Sequence, residues 1–122
     1  MADRKTVRVV ICDDSPAIRH VLRVAIDGLP SVEVVGEAED GVDVVGVVAG
    51  TAPDSVVIDY DMPRRNGIDA IKELRGNGFG GRIFVFTGQS GDGVLLGAFA
   101  EAGADAVFLK GSLGALLDAL AS

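Results

Sequence analysis

The sequence predicts an α/β fold, a doubly wound parallel sheet of five strands with helices on both faces. Three observations predict it. Five short apolar, β-branched runs alternate with segments of helical periodicity, the pattern of strand, crossover helix and next parallel strand. The central run, Val56, Val57 and Ile58, reads as a strand buried on both faces. Four of them end in polar groups, Asp13 with Asp14, Asp59, Thr87 and Lys110, at the edge where open parallel sheets collect ligands.

The first strand is Val7, Arg8, Val9, Val10, Ile11 and Cys12. Ser15 and Pro16 then read as an N-cap followed by proline at the first helical position. The helix runs to about Asp27, with Ile18, Val21, Leu22 and Ala25 at helical spacing, Arg19 and Arg23 off that stripe, and Gly28 as its stop. His20, the only histidine, lies outside the stripe and reads as a solvated residue.

Residues 32–37 alternate loosely and read as a second strand. Asp40 can cap the segment 41–49, whose valines and internal Gly46 make it a poor intrinsic helix, so its helical assignment comes from context alone. After the turn Gly50, Thr51, Ala52, Pro53 comes the central strand, which reaches Asp59 and gives way to the Met62, Pro63, Arg64, Arg65 loop. Asn66 and Gly67 open a helix with Ile68, Ile71 and Leu74 apolar, ending at Gly76.

The fourth strand is Arg82 to Thr87. A helix over residues 92–102, weakened by Gly93 and Gly97, leads to a short strand from Ala106 to Leu109, followed by Lys110. Ser112 should cap the last helix, in which Leu113, Leu116, Leu117 and Leu120 recur cleanly. No repeat or linker interrupts the pattern, and a single domain over residues 1–122 is expected.

Composition narrows the function. Hydrophobic residues make up 48% of the chain and charged residues 24%, a balance that folds. Eleven basic residues against 18 acidic ones give a formal charge of −7, which repels a nucleic-acid backbone. The lone cysteine, Cys12, sits in an apolar run and reads as a buried hydrophobe, consistent with a reducing compartment. No apolar run approaches the roughly 20 residues needed to span a bilayer, so no membrane partner is expected and the localisation expected is cytoplasmic.

Acids from two strand tips in one crevice repel one another unless a cation or protons neutralise them. Carboxylates with water and a backbone carbonyl suit Mg²⁺. Lys110 and the Thr87 hydroxyl are suited to phosphoryl oxygens, and Asp59 to nucleophilic attack on phosphorus.

Taken together, VVICDD, VVIDYDMP, FVFTG and GADAVFLK give a chain that resembles a response-regulator receiver domain of two-component signalling over essentially its whole length. The resemblance implies a flavodoxin-like strand order of 2-1-3-4-5. It implies that Asp59 accepts a phosphoryl group from a histidine kinase or phosphotransfer protein. Asp14 and Asp59 would ligate Mg²⁺ with the Asp61 carbonyl, Asp13 acting mainly through bound water, while Thr87 and Lys110 bind the phosphoryl group. Gly88 would leave the approach to Asp59 open, with Asp61 and Gln89 flanking it. The protein would be a switch that assists its own phosphorylation and dephosphorylation, not a turnover enzyme. Its phosphorylation would act on an output partner whose identity is open, or through a homodimer.

The chain departs from the family pattern in two places. Val107 stands where an aromatic residue usually reports the threonine's movement, and strand alternation aims Phe108 at the opposite face. Gly111 follows Lys110 in place of a proline whose bond is commonly cis, so a trans bond is expected. These departures motivate a competing reading, a receiver-like interaction module that acts without phosphorylation. A phosphatase using Asp59 and Asp61, as haloacid dehalogenase-like enzymes use such a pair, fits poorly because that pair normally follows a first strand.

Overall fold

A computed structural model describes residues 6–88 and 93–122. In chain order the elements are β1 (Val7–Cys12), α1 (Pro16–Asp27), β2 (Val32–Ala38), α2 (Gly41–Thr51), β3 (Ser55–Ile58), α3 (Gly67–Gly76), β4 (Arg82–Thr87), α4 (Gly93–Ala102), β5 (Ala106–Leu109) and α5 (Leu113–Ala121). All strand pairs are parallel and the order is β2-β1-β3-β4-β5, the doubly wound arrangement expected. Asp92 and Gln89 lie outside the described residues.

Alternation along the strands divides the core in two. Val10, Cys12, Val56, Ile58, Ile83 and Val85 pack on one face with residues of α2, α3 and α4. Val9, Ile11, Val57, Phe84 and Phe86 pack on the other with Leu22 and Ile26 of α1 and Leu116 and Leu120 of α5. Every residue of β3 is buried, as a central strand covered on both sides must be.

Tertiary burial decides the weakest element. In α2 the Asp40 carboxylate accepts the Val42 N–H at 3.0 Å, and Val44 and Val48, one turn apart, are buried. Burying two valines contributes about 1.5–3 kcal/mol each, which exceeds the about 1 kcal/mol that Gly46 costs relative to alanine. A Cβ at Gly46 would meet nothing within 4 Å. Gly46→Ala should therefore stabilise the protein by about 0.5–1 kcal/mol, read as a higher urea midpoint at unchanged slope; an unchanged or lower midpoint would show that this helix has a requirement for glycine.

Several boundaries differ from expectation. β2 continues to Ala38 because Cys12 of β1 still pairs with it, and α2 runs on to Thr51. Gly28 stands at the end of α1 with φ −74°, so the turn there does not draw on glycine's access to positive φ. The cap expected at Ser112 is a correction. Its backbone has ψ 44°, not the extended geometry of a capping residue, and its hydroxyl makes no cap hydrogen bond. The helix starts instead from the Ser112 carbonyl, which accepts the Leu116 N–H at 3.3 Å.

Candidate functional site

Register builds the site. Cys12 lies opposite Ile58, so the next residues, Asp13 and Asp59, leave the sheet side by side. Asp13 is 2% and Asp59 4% exposed, while Asp14 faces solvent. Ligand oxygens of Asp13, Asp14 and Asp59 lie within 4.8 Å of one another. From β5, Lys110 reaches into the same cleft, its Nζ 3.1 Å from Asp13 Oδ2 and 3.3 Å from Asp59 Oδ2. Its backbone N–H donates to the Thr87 carbonyl at 2.9 Å, which joins the tips of β4 and β5; Thr87 is fully buried.

The second oxygens of the two buried acids are held by backbone N–H groups. Asp13 Oδ1 accepts from Ser15 at 2.9 Å and Asp59 Oδ1 from Tyr60 at 2.8 Å. The Asp13 carbonyl accepts from the Arg19 guanidinium at 2.6 Å, fixing the turn between β1 and α1. Each acid thus turns one oxygen toward the cleft and spends the other on the chain.

Charge in the cleft is unbalanced, three carboxylates against one ammonium. Burial, and next the Asp13 charge, raise the Asp59 carboxyl above its ordinary range despite the opposing pull of Lys110. Burial alone would lower the Lys110 pKa, but hydrogen bonding and charge from Asp13 and Asp59 outweigh it and the net shift is upward. An all-oxygen donor set with excess negative charge fits a hard divalent cation, and Mg²⁺ fits these residues on chemistry.

The loop after Asp59 is held from below. The Gly67 N–H donates to the Tyr60 carbonyl at 2.9 Å, and a Cβ on Gly67 would overlap the Asp59 carbonyl oxygen and lie 3.1 Å from the Tyr60 Cα. Asp61 is exposed on this loop, and Met62 is buried, its Sδ accepting from the Cys12 thiol at 3.5 Å. Burial, with the charges of Asp40, Asp13 and Asp59 added, pushes the Cys12 thiol up, so it behaves as the hydrophobe expected. At Gly88 an added Cβ would meet nothing within 4 Å among the described residues.

Val107 packs on the face of α2, α3 and α4, whereas Phe108 packs on the other, 5.9 Å from Phe84 and edge-on to it. Regular pairing of β4 with β5 keeps the two residues on opposite faces, so Phe108 is core. The aromatic contact near the acids is a different one: Tyr60 meets Phe99 of α4 edge-on at 5.5 Å. No described peptide bond is cis, Lys110–Gly111 included.

Residues 9–121 match the sequence profile of the response regulator receiver domain. The chain belongs to this family. Among curated relatives, the Escherichia coli nitrate/nitrite response regulator protein NarL is 30% identical over 110 residues, which cover 90% of this chain and 50% of NarL. A protein-glutamate methylesterase/protein-glutamine glutaminase of Pyrococcus abyssi is 43% identical over 70 residues, 57% of this chain and 19% of that protein. The receiver domain therefore spans half or less of these relatives' length. Among solved structures, the response regulator domain of Thermotoga maritima CheB superposes with a TM-score of 0.86 at 27% identity, covering 95% of this chain and 94% of that one. The signal receiver domain of Mycobacterium tuberculosis NarL gives a TM-score of 0.86 at 29% identity, covering 95% and 97%. No helix among the described residues is long and apolar enough to cross a membrane.

Sequence reasoning singled out Asp13, Asp14, Asp59 and Lys110, and the structure brings them together. It did not reach two residues that hold the chain around the site: Arg19, which donates to the Asp13 carbonyl, and Gly67, which lies against the Asp59 carbonyl. Arg19 read as a charge off the apolar stripe and Gly67 as a helix start, because the contact each makes reaches back from its helix to the strand tip before it and leaves no mark in the helical pattern.

Proposed function

We propose that this receiver domain, acting as one unit over residues 1–122, is a phosphoacceptor of a two-component system, modified on Asp59. The observation that carries the reading is the convergence of Asp13, Asp14 and Asp59 within 4.8 Å, with the Lys110 ammonium bonded to two of them. Asp14, Asp59 and the Asp61 carbonyl would hold Mg²⁺, with Asp13 acting through water. The bound ion supplies charge neutralisation for the carboxylates and for phosphoryl oxygens.

The chain's own residues do the rest. An Asp59 carboxylate oxygen attacks phosphorus, an O–P bond forms, and the P–N bond of a phosphohistidine donor, or the P–O bond of acetyl phosphate, breaks with its electron pair leaving on the donor. Lys110, already beside Asp59, and the Thr87 hydroxyl bind phosphoryl oxygens. The added charge draws on Thr87, Lys110 and nearby amides and biases the loops and α4 toward a second arrangement. Moving such an equilibrium from 1:99 to 99:1 requires about 5.5 kcal/mol of differential interaction. The donor is a histidine kinase or phosphotransfer protein, and the readout is an output partner engaged by the altered surface.

Incubation with acetyl phosphate and Mg²⁺ should add one phosphoryl group by intact mass, and excess chelator should suppress the addition. An unchanged mass under conditions that label a control receiver would remove the reading and leave a phosphorylation-independent interaction module.

A further inference from the structure

Asp40 is 1% exposed and lies at the junction of β2 and α2, away from the acids of the cleft in sequence. Capping a helix asks for one side-chain oxygen. Asp40 uses both. Oδ1 accepts the Val42 N–H at 3.0 Å and the Arg65 N–H at 2.9 Å, and Oδ2 accepts the Arg64 N–H at 2.9 Å. Two of its three donors therefore belong to the loop between β3 and α3, 24 and 25 residues further along the chain.

The surroundings are shaped for this contact. Gly41 lets the loop approach, since a Cβ there would lie 2.6 Å from the Arg65 carbonyl oxygen. Burial by itself would raise the Asp40 carboxyl, but the N–H groups of Arg64, Val42 and Arg65 outweigh it and hold the group below its ordinary range, so the ionised acceptor is the form the fold stabilises. The loop is then held at three places: Tyr60 through Gly67, Met62 through its burial, and Arg64 with Arg65 through Asp40. Asp61 lies between the first two, and Asp59 precedes the first.

We propose that Asp40 is a positioning residue of the divalent-cation site, clamping the loop so that the Asp61 carbonyl and Asp59 are presented together. The proposal rests on the Mg²⁺ reading above. Groups that hold a metal's ligands in place commonly matter by 10–100-fold in affinity, and here the ligand held is main chain.

Mg²⁺ titration without a phosphodonor, followed by calorimetry, tests it in the intact chain. Asp40→Asn turns one oxygen into an amide facing the Arg64 N–H, and Asp40→Ser keeps a capping oxygen for Val42 while releasing Arg64 and Arg65. Both should bind Mg²⁺ about tenfold or more weakly, at temperatures where circular dichroism shows them folded. Asp43→Asn removes an equal charge from the first turn of the helix that Asp40 caps and weakens an exposed ion pair with the Arg64 side chain, 2.7 Å long. It should change affinity by no more than about twofold. In the absence of metal, the Arg64 and Arg65 amides should exchange hydrogen faster in Asp40→Ser than in the wild type. Asp40 variants that match Asp43→Asn in affinity, or that lose thermal stability with affinity intact, would overturn the positioning role alone. A wild type that binds no Mg²⁺ would overturn the function proposed above and this role with it.

Discussion

Asp59→Asn should abolish phosphoryl labelling by acetyl phosphate and at the same time make the protein more stable at neutral pH. The first effect follows from the nucleophile, because an amide nitrogen or oxygen cannot form the acyl phosphate. The second follows from electrostatics. Burial and the neighbouring Asp13 charge raise the Asp59 pKa in the fold above the ordinary value of 3.8. A carboxyl whose pKa is higher folded than unfolded binds more protons in the native state, so stability falls as pH rises from the unfolded value through the raised one, and stays lowered above it. Ionised Asp59 is thus a cost at neutral pH that the neutral amide does not carry. Asparagine also keeps an oxygen for the Tyr60 N–H, and Lys110 keeps Asp13 as its partner at 3.1 Å. Thermal melts of both proteins across acid to neutral pH should show the variant's advantage shrinking as pH falls through the raised pKa. A variant that melts below the wild type at neutral pH would refute the electrostatic account; one still labelled in full would refute the assignment of Asp59.

Gly67→Ala should be the most damaging single-methyl change near the site. The new Cβ would overlap the Asp59 carbonyl oxygen and press on the Tyr60 Cα, and both obstacles are backbone, which cannot rotate aside. Relief requires moving either α3 or the residue that carries the nucleophile. Overpacking of this kind costs about 3 kcal/mol, which for a chain of this size lowers the melting temperature by roughly 10 °C. Labelling of Asp59 should slow as well, measured where the variant is still folded. Wild-type stability in Gly67→Ala would show that the loop yields more easily than its hydrogen bonds indicate. Gly46→Ala, the same chemical change on an open helix face, has the opposite expected sign, so the pair separates crowding from helix propensity.

The strands and their polar tips were readable because both signals are local. A buried strand needs a continuous apolar run, and the residue after it sits at the sheet's edge whichever neighbour it has. Ile58 followed by Asp59, and Cys12 followed by Asp13, needed only the parallel register to become one cleft. What sequence could not supply was contact between segments. The helix α2 is held by Val44 and Val48 against the sheet, against the preference of its own residues. The loop-facing oxygen of Asp40 has no local signature, because its partners Arg64 and Arg65 become neighbours only once β1, β2 and β3 are assembled. Ser112 failed in the other direction: its residue type favours a cap, yet the turn that brings Lys110 to Asp59 leaves its backbone outside capping geometry. Phe108 obeyed simple alternation, and its position against Phe84 follows from it.

The edge-on meeting of Tyr60 and Phe99 has a practical corollary. The chain has one tyrosine and no tryptophan, so emission excited beyond the phenylalanine absorption band originates in a single ring, directly after Asp59 and against α4. The protein carries its own optical reporter at the junction between the cleft and α4, and events there can be followed in time without attaching a dye.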